Sequence, residues 1–191
     1  RSRCDQHNIR IISVEKNGST AFAVYGYMNR GAHEGEVGVD IYYYDIEKNV
    51  VQEKAFIPST KSFAIAEEEL GKMVYYNQDQ NLLYILAGGK FYKIDLTKDE
   101  QTVLAKNLEE GQYTVSADGH LIAYQTSGTI NTAQEIKVLN LKTDEENAVA
   151  AKSGEAIRPL GFIGSDFVYG YLRQEDVGHT AAGGELFPMY E

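Results

Sequence analysis

The chain has 191 residues, of which 43% are hydrophobic and 24% charged, a composition typical of a globular domain with a sizeable core. Its 28 acidic and 18 basic residues give a net charge of −10 without a Lys/Arg cluster, which excludes nucleic acid and disfavours an anionic membrane surface. No apolar run reaches the about 20 residues of a membrane helix, so we expect no membrane insertion by this segment, with any anchor lying outside it. Cys4 stands alone and cannot form an internal disulfide.

The first predicted elements form a β-hairpin. Ile9–Val14 and Thr20–Tyr27 are rich in alternating apolar and aromatic residues, which favour the half-buried surface of a sheet. Glu15–Ser19 connects them, and its Asn17-Gly18 pair is expected to supply the positive φ angles of a tight turn.

Three further hairpins follow the same pattern of two apolar strands around a Gly-containing turn. They are Leu82–Leu86 with Lys90–Leu96, Tyr113–Ser116 with Leu121–Thr126, and Leu160–Ile163 with Phe167–Leu172.

The segment Ser62–Leu70 is the one candidate helix. It contains good helix formers and several acids, and Gly71 is a candidate C-cap. An exposed strand or an extended loop remains open for this segment.

A repeated motif divides the chain into four units. An apolar or aromatic strand ends in Asp or Asn followed by Ile or Leu at Asp45, Asp95 and Asn140, in steps of 50 and 45 residues. A period of about 40–50 residues with four strands per unit is typical of propeller blades. The sequence therefore predicts an all-β fold, a β-propeller-like array of about four four-stranded antiparallel units in one domain over residues 1–191. The predicted units cover residues 9–57, 62–106, 112–151 and 157–191.

The last unit is predicted to be incomplete. Val24–Met28 in the first unit parallels Val168–Leu172 in the fourth, and the matching third strands are Ile41–Asp45 and Leu186–Glu191. We therefore expect the chain to stop within a blade, as a fragment of a larger propeller or with its outer strand supplied by another segment.

The stretch Ser116–Tyr124 resembles the repeat of TolB-like (WD-repeat-like) propellers. The family pattern has Ser, Pro and Asp-Gly before an apolar-Ala-aromatic strand, and here Ala117 replaces the Pro. The other units match only in strand pattern. The resemblance implies a propeller fold and an extracytoplasmic or cell-surface location, and it carries no catalytic residue.

No catalytic, metal or cofactor signature is complete. A Gly-x-Ser-x-Gly elbow is absent, and His33-Glu34 lacks the second His of a zinc helix. Asn77-x-Asp79-x-Asn81 resembles the start of a calcium loop, but Leu82 replaces its essential Gly, so a polar turn is expected. We expect no catalytic residue, no metal site and no cofactor.

Two long insertions are the best candidates for a binding face. Asn29–Val39 and Arg173–Gly184 both join the second and third strands of a predicted blade, and such connections emerge on one face of a propeller. The candidate ligand-binding residues on that face are Arg30, His33, Glu34, Glu36, Arg173, Glu175, Asp176 and His179.

Two hypotheses of function follow. The first is a non-catalytic binding or scaffolding domain, extracytoplasmic or on the cell surface, whose partner is a protein, a peptide or a glycan. The alternative is a carbohydrate-active enzyme, a hydrolase or a lyase, that uses carboxylates and His on the same face; it requires two carboxylates at a fixed distance across a pocket.

Overall fold

The computed structural model describes residues 7–59 and 63–190. The predictions that concern Cys4, Ser62 and Glu191 therefore lie outside the described residues. The chain divides into two compact units between Lys106 and Asn107. Its regular structure is almost entirely antiparallel strands, which confirms the all-β prediction.

The first unit contains two four-stranded antiparallel sheets, each in simple chain order. The first sheet consists of β1 (His7–Val14), β2 (Thr20–Tyr27), β3 (Val37–Asp45) and β4 (Val50–Pro58). After helix α1 (Phe63–Lys72), the second sheet consists of β5 (Val74–Asn77), β6 (Leu82–Ala87), β7 (Lys90–Asp95) and β8 (Glu100–Ala105). Such four-stranded meanders are the structural unit of a propeller blade.

The core of this unit lies between its two sheets. Side chains of β2 and β3 that point to one face, including Ala23 and Ile41, are fully buried with Leu83 and Ile85 of β6. Every residue of β6 is buried, so this central strand is covered on both faces. Leu70 attaches α1 to the same cluster.

The second unit contains one complete sheet and a two-stranded ribbon. The third sheet consists of β9 (Tyr113–Val115), β10 (Leu121–Gln125), β11 (Glu135–Asn140) and β12 (Glu145–Ala150). The fourth sheet is the two-stranded ribbon of β13 (Glu155–Ile163) and β14 (Asp166–Arg173). It is followed by a 3-10 turn (Gln174–Asp176) and by a short hairpin of β15 (Gly178–His179) and β16 (Glu185–Leu186).

The repeated Asp/Asn motif has a structural cause. At the end of β3 the Asp45 Oδ1 atom accepts hydrogen bonds from the backbone N–H groups of Glu47 and Lys48, both at 3.1 Å. Asn49 then takes a left-handed φ of 52°, which turns the chain into β4. The same arrangement recurs in the other two complete sheets. Asp95 and Asn140 are the side-chain acceptors there, and Asp99 and Asp144 are the residues with a left-handed φ. The motif therefore marks the turn between the third and fourth strands of each complete sheet.

The Ser116–Tyr124 stretch also forms a defined turn. The Ser116 hydroxyl donates to Asp118 Oδ1 at 2.7 Å and accepts from the Leu121 N–H at 3.0 Å. Gly119 has a φ of 76°, a conformation that a side chain would disfavour. The Ser and Asp-Gly positions are thus explained by the turn between β9 and β10.

Two local expectations are corrected. The open question at the predicted segment Ser62–Leu70 is decided in favour of a helix over its described residues 63–70. Helix α1 continues to Lys72, so Gly71 lies inside it and is not its C-cap. In the first hairpin only Gly18 has a positive φ, of 93°, whereas Asn17 contributes its Oδ1 as acceptor for the Ser19 N–H.

The expected third strand of the fourth unit, Leu186–Glu191, is confirmed only at Tyr190. Leu186 pairs with Gly178 inside the short β15–β16 hairpin, not with β14. Tyr190 is the residue that reaches β14, through a single antiparallel bridge to Tyr171 with N–H···O distances of 2.7 and 2.8 Å. The predicted strand begins too early because residues of the insertion pair with each other before the chain returns to the sheet at Tyr190.

Candidate functional site

The first predicted loop lies in the first unit, between β2 and β3. Its base is closed by backbone hydrogen bonds from Met28 N–H to the Glu36 carbonyl and from Gly35 N–H to the Met28 carbonyl, both 2.8 Å. Arg30 and Glu34 are exposed at its tip, where neither has an ion pair or side-chain hydrogen bond with another described residue. Both are therefore available to solvent or a partner.

His33 is the ordered side chain of this loop. Its Nδ1 lies 3.2 Å from Glu36 Oε1 and its Nε2 lies 3.0 Å from Glu53 Oε1. The ring stacks on Phe56, with centroids 3.8 Å apart and planes inclined by 11°. Partial burial alone would lower the pKa of His33, but the hydrogen bonds to Glu36 and Glu53 outweigh it and raise the pKa. The structure thus brings His33 and Glu36 together, as part of a packed ionic cluster.

A buried carboxyl group lies beside this cluster. Asp40 on β3 is only 2% exposed, and its Oδ2 accepts a hydrogen bond from the Tyr42 hydroxyl at 2.6 Å. Its Oδ1 is buried and has no hydrogen-bond partner among the described residues. Burial raises the pKa of Asp40, although the Tyr42 hydrogen bond acts in the opposite direction. Asp40 therefore favours its neutral form more than an exposed Asp does.

The second predicted loop begins with Arg173 in the second unit. A cavity of about 380 Å³ lies beside it, lined by Ser153, Gly154, Glu155, Arg173, Gln174 and Glu175. The Arg173 Nε is 3.9 Å from Glu155 Oε1, and the Arg173 side chain is 46% exposed. Most donors of this guanidinium group therefore have no hydrogen-bond partner among the described residues.

Two tyrosines support the Arg173 side chain. Its guanidinium carbon lies 5.8 Å from the Tyr171 ring centroid and 5.4 Å from that of Tyr190, distances typical of cation–π contacts. The two rings stack with centroids 5.3 Å apart, and the Tyr190 hydroxyl donates to Asp176 Oδ2 at 3.1 Å. The hydrogen bond to Asp176 raises the pKa of Tyr190. Asp176 thus has a positioning role in this cluster.

The remaining predicted residues of the second loop, Glu175 and His179, make fewer side-chain contacts than Arg173 and Asp176. Glu175 lines the cavity, whereas His179 lies on β15; both are exposed, and neither side chain has a hydrogen bond or ion pair with another described residue. Each predicted loop therefore contributes a local cluster of its own. The proposal that the two loops form one face stays a prediction.

Sequence reasoning missed the partners that organise these clusters. Glu53 lies on β4, twenty residues after His33, and Tyr190 reaches Tyr171 only because the chain folds back to β14. Both depend on long-range pairing. In the sequence, the only indication that Tyr171 and Tyr190 contribute to a site was the Tyr-rich composition of the chain.

Two further properties concern the described residues only. No group of three His, Cys, Asp or Glu side chains within residues 7–59 and 63–190 is arranged to hold a metal ion. In the same part of the chain, no helix has the length and apolar character to span a bilayer.

Comparison with known proteins gives similarity of fold only. No family model and no curated protein matches the chain. Among solved structures, TolB from Acinetobacter baumannii is 10% identical with a TM-score of 0.39, over 94% of this chain and 43% of that one. The β-propeller domain of the Trilobed protease from Pyrococcus furiosus is 10% identical with a TM-score of 0.34, over 96% and 57%. An oligogalacturonate lyase from Vibrio parahaemolyticus is 9% identical with a TM-score of 0.33, over 88% and 53%.

The chain spans about half the length of these structures, or less. They include TolB and the β-propeller domain of the Trilobed protease. Each of the three complete sheets is a four-stranded antiparallel meander, the structural unit of a propeller blade, and no specific repeat family is identified.

Proposed function

We propose that this chain is a non-catalytic, extracytoplasmic binding domain whose Arg173 cavity binds a carboxylate of a peptide or protein partner. The observation that carries the proposal is the exposed guanidinium of Arg173, held over Tyr171 and Tyr190 at the wall of a cavity. A guanidinium fork forms two parallel hydrogen bonds with a carboxylate, and its support by aromatic rings reduces the entropy lost on binding.

The other lining groups favour a peptide over a glycan. Glu155 and Glu175 supply acceptors for peptide N–H or ammonium groups around the same cavity. The faces of Tyr171 and Tyr190 are already used, by each other and by Arg173, so they offer little surface for stacking a sugar ring. Extracytoplasmic placement is supported by the TolB-like turn at Ser116–Tyr124 and by the nearly cysteine-free, acidic composition.

The contacts of the two carboxylates near His33 support a non-catalytic function. Glu36 and Glu53 each contact a different nitrogen of this imidazole, so both are engaged within the protein. A hydrolase that uses an acid and a base needs two carboxylates facing its substrate across a cleft.

The test is selection of peptides by the whole chain from a library displayed with free C-termini, followed by fluorescence polarisation with the selected sequences. Arg173→Ala and Arg173→Lys are expected to weaken binding at least tenfold, because neither retains the planar fork. Lys16→Ala, which removes an exposed cation in the turn between β1 and β2, is the surface control and is expected to leave the affinity of these peptides unchanged.

Two sets of modified peptides show whether the bound carboxylate is the peptide C-terminus or an Asp or Glu side chain. Amidation of the C-terminus weakens binding if the terminal carboxylate is recognised, whereas Asp→Asn or Glu→Gln changes weaken it if a side chain is recognised. Failure to select any peptide, or selected peptides indifferent to Arg173→Ala, would overturn the proposal. Cell fractionation of the source organism tests the location, and recovery of the protein in the cytoplasm would contradict it.

A further inference from the structure

A second cavity lies in the first unit, between its first and second sheets. It has a volume of about 450 Å³, within the range of small-molecule sites. Its walls come from the turns β1–β2, β3–β4, β5–β6 and β7–β8 and from β3, β4 and β5. It therefore opens at the end of the first sheet opposite the Asn29–Val39 loop. Six polar side chains of this wall are Glu15, Gln52, Lys54, Tyr76, Gln78 and Thr97. We call this cavity the inter-sheet groove.

The wall of the inter-sheet groove is fixed by hydrogen bonds between the sheets. Glu15 Oε1 accepts from the Tyr43 hydroxyl at 3.0 Å and lies 3.4 Å from the Tyr76 hydroxyl. The Tyr76 hydroxyl also lies 2.5 Å from Asn81 Oδ1, and Asn81 Nδ2 donates to Thr97 Oγ1 at 2.9 Å. Because these groups hold one another, the groove exists before any ligand arrives, which lowers the entropy cost of binding.

Several polar groups of the inter-sheet groove keep free hydrogen-bonding positions. Gln52 is exposed and makes no side-chain hydrogen bond with another described residue. Gln78 donates from Nε2 to Ser13 Oγ at 2.7 Å, which leaves its Oε1 as an acceptor. Lys54 is 14% exposed at its side chain, and its Nζ has Asp99 as an ion-pair partner at 3.4 Å. An ammonium group has three N–H donors, and Asp99 uses one of them, so Lys54 retains donors for a ligand.

The charges of the inter-sheet groove select the class of ligand. Two cations, Lys48 and Lys54, line it together with two anions, Glu15 and Asp45. An anionic ligand would meet the carboxylates, and a cationic one would meet the ammonium groups, so neither sign gains a net advantage. A hydroxyl both donates and accepts a hydrogen bond, and therefore matches a wall of interspersed free donors and acceptors. The carbon skeletons of Tyr43 and Tyr76 add apolar surface for the C–H groups of a sugar ring.

We propose that the inter-sheet groove is a binding site for a neutral oligosaccharide, held by hydrogen bonds from the Gln52 amide, the Lys54 ammonium group and the Gln78 carbonyl oxygen. This site lies in the first unit and uses none of the residues of the Arg173 cavity. Neither proposal depends on the other.

The experiment is NMR titration of the whole isotope-labelled chain with four neutral probes, cellotriose, xylotriose, mannotriose and maltotriose. We expect at least one to shift the side-chain amide signals of Gln52 and Gln78, with little change near Arg173. Gln52→Ala and Lys54→Met are expected to lower its affinity at least tenfold. Gln101→Ala on the exposed edge strand β8 and Lys90→Met on β7 are the matched controls, since neither residue lines the groove.

A charged probe completes the design. Trigalacturonate has the same number of rings but three carboxylates, and is expected to bind at least tenfold more weakly than the best neutral probe. Absence of binding by all four neutral trisaccharides at millimolar concentration, tighter binding of trigalacturonate, or neutral binding that survives both groove substitutions would each overturn the proposal. Retained far-UV circular dichroism checks that the two variants are folded.

Discussion

The Gln125 Nε2 atom donates a hydrogen bond to the Ile157 carbonyl at 2.8 Å, which joins the third sheet to the fourth inside the second unit. Its other amide hydrogen goes to the Ile130 carbonyl at 3.0 Å, and its Oε1 accepts from Gln112 Nε2 at 3.1 Å. Gln125 is 2% exposed and Gln112 is 6% exposed. A buried amide with both hydrogens and its oxygen paired is a strong link between two strands that are distant in sequence.

Replacement of this amide is expected to destabilise the second unit. Gln125→Leu removes the amide donor of the Ile130 and Ile157 carbonyls and the acceptor of one Gln112 hydrogen bond, a loss of about 2–3 kcal/mol in the free energy of unfolding. Gln134→Leu is the matched control, since Gln134 donates to the Glu155 carbonyl at the same 2.8 Å but is exposed, so water replaces the lost partner. Urea denaturation measures both, and equal losses would show that burial of the network has no special role.

Gly170 is expected to control the position of Tyr190. A Cβ atom at Gly170 would lie 2.6 Å from Met189 Sδ and 3.2 Å from the Tyr190 carbonyl oxygen, so in Gly170→Ala the Met189 side chain must move and the backbone of Tyr190 is expected to shift. The predicted result is loss of the Tyr171–Tyr190 stacking and at least fivefold weaker binding of peptides selected by the Arg173 cavity. Gly161→Ala in the same ribbon meets nothing within 4 Å and should leave both properties unchanged. Tyr fluorescence and peptide affinity report the outcome; unaltered affinity in Gly170→Ala would contradict a role of Tyr190.

His33 is expected to make the first unit more stable at low pH than at high pH. Its pKa is raised above the unfolded value of 6.5, so its contribution is complete below that value and is lost as pH rises through the folded-state pKa. In Glu53→Gln the pKa of His33 should fall, and the change in melting temperature between about pH 6 and pH 8 should shrink. NMR titration of the His33 ring measures the pKa directly; an unchanged value in Glu53→Gln would refute the role of that contact.

Ser116 is expected to be required by the turn between β9 and β10. Ser116→Ala removes the hydroxyl that accepts from the buried Leu121 N–H and donates to Asp118, at a cost of about 1–3 kcal/mol. Ser116→Thr keeps the hydroxyl and should recover part of the loss. Ser153→Ala, at an exposed turn, is expected to change the free energy of unfolding by less than about 0.5 kcal/mol. The comparison uses denaturant unfolding, and a neutral Ser116→Ala would show that the hydroxyl is dispensable.

Local structure was predictable from the sequence because its causes are local. Alternating apolar residues set the strands, and a side-chain acceptor followed by a left-handed residue sets the turns at Asp45, Asp95 and Asn140. These interactions span only a few residues, so the sequence by itself determined the all-β class, the four-stranded repeat and the Ser116–Gly119 turn. It also identified His33 and Arg173 as candidate binding residues, although Arg173 is the last residue of β14 and not part of a loop.

Only the tertiary structure decided which side chains contact His33 and Arg173. The contact of His33 with Glu53 depends on the pairing of β3 with β4, and that of Arg173 with Tyr190 depends on an insertion whose own hairpin shifts the return strand. The inter-sheet groove arises where four separate turns come together, and no one of them carries its pattern of free donors and acceptors. Long-range contacts of this kind are fixed by the packing of whole sheets, which a local pattern of residues does not encode.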